Sequence, residues 1–421
     1  MRQPKILTTI RDYSWSLFSA DLIAGATVAM VAMPLSIAIA IASGANPGKG
    51  LVTAVVAGFL ISLLGGSRVQ VGGPTGAFIV VVFGVISKHG YDGLVLATFM
   101  AGFILLLAGY FRAGRLISYV PESVVNGFTI GIGIIIATSQ LKDFVGLKVE
   151  NVPAEFFEKL TALWHAFGTF STPTFLVAIG TLVLIVVLRR AAPRFPGLIV
   201  AVGVGSAVVA LSGLPVDTLG SRFGDLPSQL PWPQLPQISL QRLTELFPSA
   251  IVIAFLAGVE SLLSAMVADK MIKGQHRPNA ELTAQGAANI ASAIFGGLPA
   301  TGAIARTATN IKAGGKTPVS GIISAIVILI VMLAAAPLAN YLAMPALAAL
   351  LVITAWNMTE PHKWSTYARG ATSDKVLLVL TLVLTVLVDL TVAIGVGVSI
   401  GLALRLSKRR AVKSDWTPPN R

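Results

Sequence analysis

Long apolar stretches, separated by short polar or basic segments, cover almost the whole chain. Fourteen stretches lie near residues 21–44, 51–66, 73–88, 92–111, 126–141, 173–188, 197–214, 248–269, 283–297, 302–313, 317–338, 344–358, 376–390 and 391–407. A helix needs about 20 apolar residues to cross the hydrocarbon core of a bilayer, and half-helices are shorter. The pattern therefore predicts an all-α membrane protein with 14 transmembrane segments.

Two of the shorter stretches begin with closely similar sequences. Residues 72–78 read Gly-Gly-Pro-Thr-Gly-Ala-Phe, and residues 297–303 read Gly-Leu-Pro-Ala-Thr-Gly-Ala. The shared Thr-Gly-Ala recurs after 226 residues, a little over half of the chain. Interrupted spans at matching places in two halves are typical of duplicated transporters. The predicted organisation is a cytoplasmic segment (1–20), a first inverted repeat (21–214), an extracellular Pro-rich loop (215–247), a second inverted repeat (248–407) and a basic cytoplasmic tail (408–421).

The composition agrees with a membrane protein and excludes several kinds of site. Of 421 residues, 55% are hydrophobic and 12% are charged, which a single soluble core does not accommodate. The chain has no cysteine, so disulfides, thiolate metal sites and cysteine nucleophiles are excluded. Its four histidines have no spacing that suits a metal. We therefore expect no enzyme and no cofactor, apart from H⁺ or Na⁺ as a coupling ion.

The net charge of +13 is explained by orientation in the membrane. If the N-terminus is inside and all 14 stretches cross, 23 of the 31 Lys and Arg residues fall in cytoplasmic segments and seven in external loops. This bias follows the positive-inside rule and predicts cytoplasmic termini in a multi-pass protein of the cell inner membrane. The basic residues form no continuous stripe, so nucleic acid is not an expected partner.

Each interrupted span begins with backbone N–H groups that lipid cannot satisfy, and its dipole makes that end positive. Such an end is a seat for an anion. The predicted contact residues are Thr75, Gly76, Ala77 and Phe78 in the first half, and Gly302, Ala303, Ile304, Ala305 and Arg306 in the second. The alternative is that the Gly-Pro sequences only kink packed helices. A matched pair favours a site.

Glu260 lies deep in an otherwise apolar span, where a carboxylate is costly unless it is paired, protonated or bound to a cation. The 226-residue offset sets it opposite Pro34, the expected break in span one. Ser264 is one helical turn later on the same face and could share a cation. We therefore expect Glu260 to couple transport to a proton or a sodium ion. A structural ion pair with Arg306 is the alternative. Arg306 in turn either attracts the substrate or neutralises Glu260.

Two further acids are weaker candidates. Asp389, near the end of span thirteen, is read as a cap or hinge before it is read as a ligand. Glu122, in a linker before span five, is interpreted in the same way, as a cap or the partner of an arginine.

Several motifs together resemble the SulP anion transporters, the bacterial relatives of solute carrier family twenty-six. They are Asp-Leu-Ile-Ala-Gly at 21–25, Pro-Glu-Ser-Val-Val-Asn-Gly-Phe at 121–128, Asn-Ala-Glu-Leu-Thr-Ala-Gln-Gly-Ala-Ala-Asn at 279–289, Gly-Gly-Lys-Thr at 314–317 and Val-Asp-Leu at 388–390. The third is the most specific. The resemblance implies seven-plus-seven inverted repeats, core and gate domains that move against each other, and a homodimer.

The resemblance also implies a substrate pocket and a substrate class. Besides the two interrupted spans, the pocket would use Leu35, Ser36 and Ile39, and Glu260 with Ser264 matches the family's cation position. Many relatives that handle sulfate or chloride have Gln where this chain has Leu35, which favours the bicarbonate and dicarboxylate branches. The family's STAS domain is expected to be absent after Arg410.

The sequence thus predicts a secondary active transporter of a small inorganic or carboxylate anion (bicarbonate, dicarboxylate or sulfate) by H⁺ or Na⁺ symport, with elevator-type alternating access. An uncoupled anion exchanger or channel is the alternative, because the same pair of helix ends would serve it. A nucleobase permease of the same fold is disfavoured by the apolar Leu35 and Ile39 and by the charge of Arg306.

Overall fold

The computed structural model describes residues 3–115, 121–149, 152–153, 155–192, 196–388, 392–393, 395–397 and 399–400. The described chain is almost entirely helical. Its helices are α1 (Ile6–Thr9), α2 (Trp15–Ala42), α3 (Pro47–Leu64), α4 (Ile79–Tyr110), α5 (Glu122–Val145), α6 (Phe156–His165), α7 (Thr172–Ala191), α8 (Gly197–Ser212), α9 (Leu219–Phe223), α10 (Leu240–Ile272), α11 (Pro278–Ile294), α12 (Ile304–Lys312), α13 (Val319–Ala339), α14 (Met344–Met358), α15 (Trp364–Arg369) and α16 (Thr372–Leu387). Five short 3₁₀ turns and two short strands, β1 (Gly72–Gly73) and β2 (Thr301–Gly302), complete the described elements.

Polar residues next to the apolar stretches fix where several helices begin and end. The hydroxyl of Ser14 accepts a hydrogen bond from the Leu17 amide, so α2 begins at Trp15. Asn46 caps α3 in the same way. Helix α5 ends at Gly146, which adopts the left-handed conformation (φ 72°) that closes many helices.

Seven described helical stretches are long and apolar enough to cross a membrane. One of them, Gly76–Tyr110, joins the predicted spans three and four, which meet at a kink at Gly90 (φ 70°, ψ 179°). Helices α11, α14 and α16 have 17, 15 and 16 residues, slightly less than a full crossing. The chain is therefore a multi-pass helical membrane protein, and the number fourteen stays a prediction.

The start of α10 and the expected break in span one differ most from the prediction. Helix α10 begins at Leu240, eight residues before the predicted span, because Ser239 caps it and its Pro248 is accommodated inside the helix. Pro34 does not break span one, since α2 is continuous through it. Asp389, most of the stretch 391–407 and the tail 408–421 lie outside the described residues.

The long helices form two groups according to which helices pack together. The first helix group contains α2, α3, α4, α10, α11, α12 and α13. The second helix group contains α5, α7, α8, α14 and α16. Contacts of α2 with α8 and α14, and of α4 with α5, join the groups. Strands β1 and β2 lie within the first helix group, and the predicted site is therefore built mainly on that group.

Candidate functional site

The two similar sequences meet in space as a short antiparallel strand pair. Gly72 is paired with Gly302, and Gly73 with Thr301. After β1 the chain passes Thr75, makes one 3₁₀ turn and enters α4, and after β2 it passes Ala303 and enters α12. The structure thus brings together the beginnings of two helices that are 226 residues apart in sequence.

Two glycines permit the close packing of this strand pair. Gly73 has a positive φ (150°), and a Cβ atom there would lie 2.1 Å from Nη1 of Arg306. A Cβ atom on Gly302 would lie 1.4 Å from Nε2 of Gln70. Side chains at either position would displace neighbours, so these glycines serve close backbone approach.

Arg306 is buried at the strand pair, with 2% of its surface exposed. Its guanidinium donates hydrogen bonds to Gly72 O (3.3 Å), Pro74 O (3.0 Å) and the hydroxyl of Ser36 (3.0 Å). These bonds link α12 to β1 and α2. The Nε–H group is buried and has no hydrogen-bond acceptor among the described residues. A buried cation with an unused donor is suited to an anion.

Glu260 reaches the start of the other helix. Its carboxylate Oε2 accepts a hydrogen bond from Oγ1 of Thr75 (2.8 Å), and its side chain remains partly exposed. The salt bridges within 4.0 Å among the described residues do not include Glu260 with Arg306. In this conformation the two charges share one site without touching.

Ser264 lies one turn after Glu260 but makes different contacts. Its hydroxyl is fully buried, 3.3 Å from Oγ1 of Thr307 on α12. Thr307 also accepts a hydrogen bond from the Val71 amide (3.1 Å). Ser264 therefore joins α10 to α12 and does not hydrogen-bond directly to the carboxylate.

Exposure differs on the two sides of the strand pair. On one side, the apolar residues of the predicted pocket are buried. They are Leu35 (8% exposed), Ile39 (1%) and Phe78 (1%), and Ala77 and Ala303 beside the strands are buried as well. Ile304 and Ala305, at the start of α12, are exposed. The start of α12 is therefore exposed, whereas Ile39 and Phe78 are buried.

A second polar cluster lies behind β2, and the site analysis of the sequence did not include it. Glu281 on α11 is fully buried; it accepts hydrogen bonds from the Gly66 amide (2.9 Å), the Ser261 hydroxyl (3.0 Å) and Gln285 Nε2 (2.9 Å). Gln70 Nε2 also donates to Ser261 Oγ (2.9 Å). The Asn-x-Glu-Leu-x-Ala-Gln-Gly motif supplies Glu281 and Gln285. These polar residues on one face of an otherwise apolar helix are the feature of the sequence that could have indicated the cluster.

Two other sequence motifs also meet. The carboxylate of Asp21 on α2 accepts hydrogen bonds from the Lys316 and Thr317 amides (2.9 and 3.2 Å) and from the hydroxyls of Thr317 and Tyr13. Burial and the nearby Asp21 carboxylate raise the pKa of Tyr13 to about 12, so its phenol stays a donor. This junction fastens the start of α2 to the loop before α13.

No group of three or more metal-binding His, Asp or Glu side chains occurs in the part of the chain that the structure describes. Glu260 and Thr75 offer oxygens at the site, a set that suits a proton or a hard cation such as Na⁺ better than a transition metal.

Comparison with known proteins gives consistent matches over most of the chain. The model of the sulfate permease family matches residues 18–381. A Bacillus subtilis protein with the provisional name of sulfate transporter is 44% identical over 88% of this chain and 70% of its own length. The bicarbonate transporter BicA of Synechocystis is 33% identical over 78% of this chain and 59% of its own length.

Solved structures show the same fold. The transmembrane domain of a cyanobacterial bicarbonate transporter, BicA, aligns with a TM-score of 0.79 at 28% identity, covering 94% of this chain and 98% of that one. A murine solute carrier 26 anion transporter aligns with a TM-score of 0.87 at 18% identity, covering 97% of this chain and 72% of that one, which is a likeness of fold alone. These relatives are named as transporters, in agreement with the expectation of a transporter and not an enzyme.

Proposed function

Because this chain belongs to the sulfate permease family, we propose that it is a secondary active transporter that carries a small anion across the membrane together with H⁺ or Na⁺. The observation that carries the proposal is the pairing of β1 with β2, which sets the starts of α4 and α12 against each other. Both starts offer backbone N–H groups, and the buried Arg306 adds a full positive charge. An anion bound there would satisfy the unused Nε–H of Arg306.

The anion site would use the residues that surround this strand pair. They are Leu35, Ser36 and Ile39 of α2, Thr75 to Phe78 before α4, and Gly302 to Arg306 at β2 and α12. Backbone N–H groups provide most of the polar contacts in this proposal, and Leu35 and Ile39 provide an apolar wall. A compact anion with no large apolar part fits such a surface best.

The coupling ion would bind at Glu260. The carboxylate has one hydrogen-bond donor among the described residues, Thr75, and is partly exposed. An isolated carboxylate at this depth is stabilised by a proton or a cation. Because Thr75 also begins the helix that faces the anion, a change of charge at Glu260 is felt at the anion site.

Transport requires that the site be open to one side at a time. We propose that the first helix group is the moving core and the second is the gate, in an elevator-type motion, and that the complete fold has 14 spans in seven-plus-seven inverted repeats. The excess of basic residues in alternate loops supports cytoplasmic termini in the inner membrane. A homodimer completes the proposal.

The substrate class is proposed from the relatives and from the site. Relatives carry the names of sulfate and bicarbonate transporters. The apolar Leu35 provides no side-chain hydrogen bond to a large oxyanion. We therefore rank bicarbonate and a small dicarboxylate before sulfate.

Uptake by proteoliposomes tests the proposal. Purified protein is reconstituted and supplied with labelled bicarbonate, succinate or sulfate under an H⁺ gradient, a Na⁺ gradient or neither. Accumulation above equilibrium that needs one of the two gradients is expected. Anion flux that never exceeds equilibrium, or unitary currents in planar bilayers, would instead identify the uncoupled exchanger or channel. Liposomes without protein serve as the control.

A further inference from the structure

Helix α6 carries a buried lysine that the anion site does not explain. Lys159 is 4% exposed, although its helix neighbours Phe157 and Trp164 are 63% and 79% exposed. No Asp or Glu oxygen among the described residues lies within 4.0 Å of its ammonium group. Burial lowers the pKa of Lys159. Burying a lysine side chain that has no carboxylate partner costs free energy. This cost suggests that the lysine has a functional role.

The contact that this ammonium does make is with an aromatic ring. Its Nζ atom lies 5.3 Å from the centroid of the Phe83 ring, within the range of a cation–π interaction. Such an interaction is weak enough for an anion to replace it.

Phe83 lies further along the helix that begins at the anion site. It follows Thr75 by eight residues along α4, about 12 Å or two helical turns. Its ring also borders Gly44, where a Cβ atom would lie 3.3 Å from Cδ2 of the ring, and Gly44 follows Ser36 by eight residues. Two helices therefore place Phe83 on the same side of the site, opposite the start of α2.

Lys159 thus connects the two helix groups. Its helix α6 packs against α5 and α16 of the second helix group, whereas Phe83 belongs to α4 of the first. Ile39 of α2, Phe78 just before α4 and Val82 next to Phe83 are each no more than 1% exposed. The contact therefore lies beside a buried part of the first helix group.

We propose that Lys159 is the ammonium group that attracts the anion to the external mouth of the transport path, and that it lies on Phe83 across that mouth while the mouth is closed. The ligand is a small inorganic or carboxylate anion. The inference rests on the proposed transport and orientation. When the helix groups separate on this side, Phe83 moves away from the ammonium, which then faces the entering anion.

The absence of cysteine from the chain allows a direct test. In Lys159→Cys, the single thiol can be converted with aminoethyl, ethyl or sulfonatoethyl methanethiosulfonate, which give a positive, neutral or negative side chain. Anion uptake is measured from each face of the membrane in vesicles of known orientation. Labelling is followed by mass spectrometry of the intact protein during transport.

The expected result depends on charge and on the face of the membrane. Loss of the ammonium should raise the half-saturating external anion concentration about tenfold, the lower end of the effect of a charged cleft. The aminoethyl group should restore it, the ethyl group should not, and the sulfonatoethyl group should raise it further. The half-saturating concentration from the cytoplasmic face should not change. Lys148→Cys, at an exposed lysine before α6, is the matched control and should show no such dependence.

Several outcomes would overturn the inference. These are equal effects on both faces, an effect on the cytoplasmic face alone, a response that ignores the charge of the reagent, or a thiol that stays unlabelled during transport. If Lys159→Cys does not fold, Phe83→Leu tests the same contact. The freed ammonium should then lower the external half-saturating concentration, and a rise would refute the inference. Wild-type vesicles that show no anion uptake would refute the proposed function itself.

Discussion

Glu260 and Glu281 are two acids of the same helix group, and their surroundings are opposite. Glu281 is fully buried and accepts three hydrogen bonds, from Gly66, Ser261 and Gln285. Glu260 is partly exposed and accepts one, from Thr75. Three donors satisfy an ionised carboxylate without any ligand, whereas one donor leaves room for a proton or a cation.

This difference separates a residue that supports the site from one that we propose to bind the coupling ion. Glu281 fixes the loop at Gly66 and, through Ser261, the side chain of Gln70 that packs against Gly302. It thereby supports β2 from behind. Glu260 is bound to Thr75 beside the strand pair and is partly exposed, as its proposed role requires. The number of donors around a buried carboxylate, more than its depth, distinguishes the two roles.

The largest expected effect is that of Glu260→Gln. The amide keeps the shape but takes up neither a proton nor a sodium ion, so gradient-driven accumulation should fall to the equilibrium level. Anion binding, measured by calorimetry on the purified protein, should remain, because the helix starts and Arg306 are unchanged. Accumulation that still follows the cation gradient would show that coupling lies elsewhere.

Glu281→Gln is the matched control for that experiment. The amide retains one acceptor oxygen for Ser261 or Gly66, and Glu281 is not the proposed coupling residue. The variant should still accumulate the anion in response to the gradient, per folded molecule. If it loses coupling as Glu260→Gln does, the distinction between the two acids is wrong.

The next largest effect is on stability and concerns Glu281→Leu. The change leaves three buried donors without their acceptor, and each costs about 1–3 kcal/mol. We expect a destabilisation of about 3 kcal/mol or more, seen as a marked fall in the thermal unfolding temperature in detergent. Glu260→Leu should cost less, because one hydroxyl is released and the site is partly solvated. An unfolding temperature equal to that of the wild type for Glu281→Leu would contradict the supporting role.

The sequence was sufficient to predict the helical membrane class and the family, since apolar stretches and short motifs are local features of the chain. The recurrence of Thr-Gly-Ala also indicated which two segments should meet, and the pairing of Gly72 with Gly302 brings them together. A break at Pro34 was wrongly expected. A single proline removes one backbone donor, and packing within the first helix group keeps α2 continuous.

The partners of each polar side chain were beyond the reach of the sequence. Ser264 shares a helical face with Glu260 yet bonds to Thr307, because α12 and not the coupling site lies against that turn. Arg306 was predicted as a site residue, but its bonds to Ser36 and Pro74 depend on how α2 and β1 approach it. Helical periodicity predicts faces, and only packing between helices decides which groups meet.

Thr75→Val should have the smallest effect, and its sign would identify the coupling ion. The valine has nearly the same shape but removes the one described donor to the Glu260 carboxylate. That donor favours the ionised acid, so its loss strengthens proton binding and half-activation should need about tenfold less H⁺, equal to about 1.4 kcal/mol. If Na⁺ is the coupling ion, the hydroxyl is a lost oxygen ligand and half-activation should need more Na⁺.

Thr301→Val is the matched control. The Thr301 hydroxyl donates to Ala257 O (2.7 Å) and not to the Glu260 carboxylate, so the cation dependence of this variant should equal that of the wild type. An equal shift in both variants, or none in Thr75→Val, would mean that the hydrogen bond between Thr75 and Glu260 has no part in coupling.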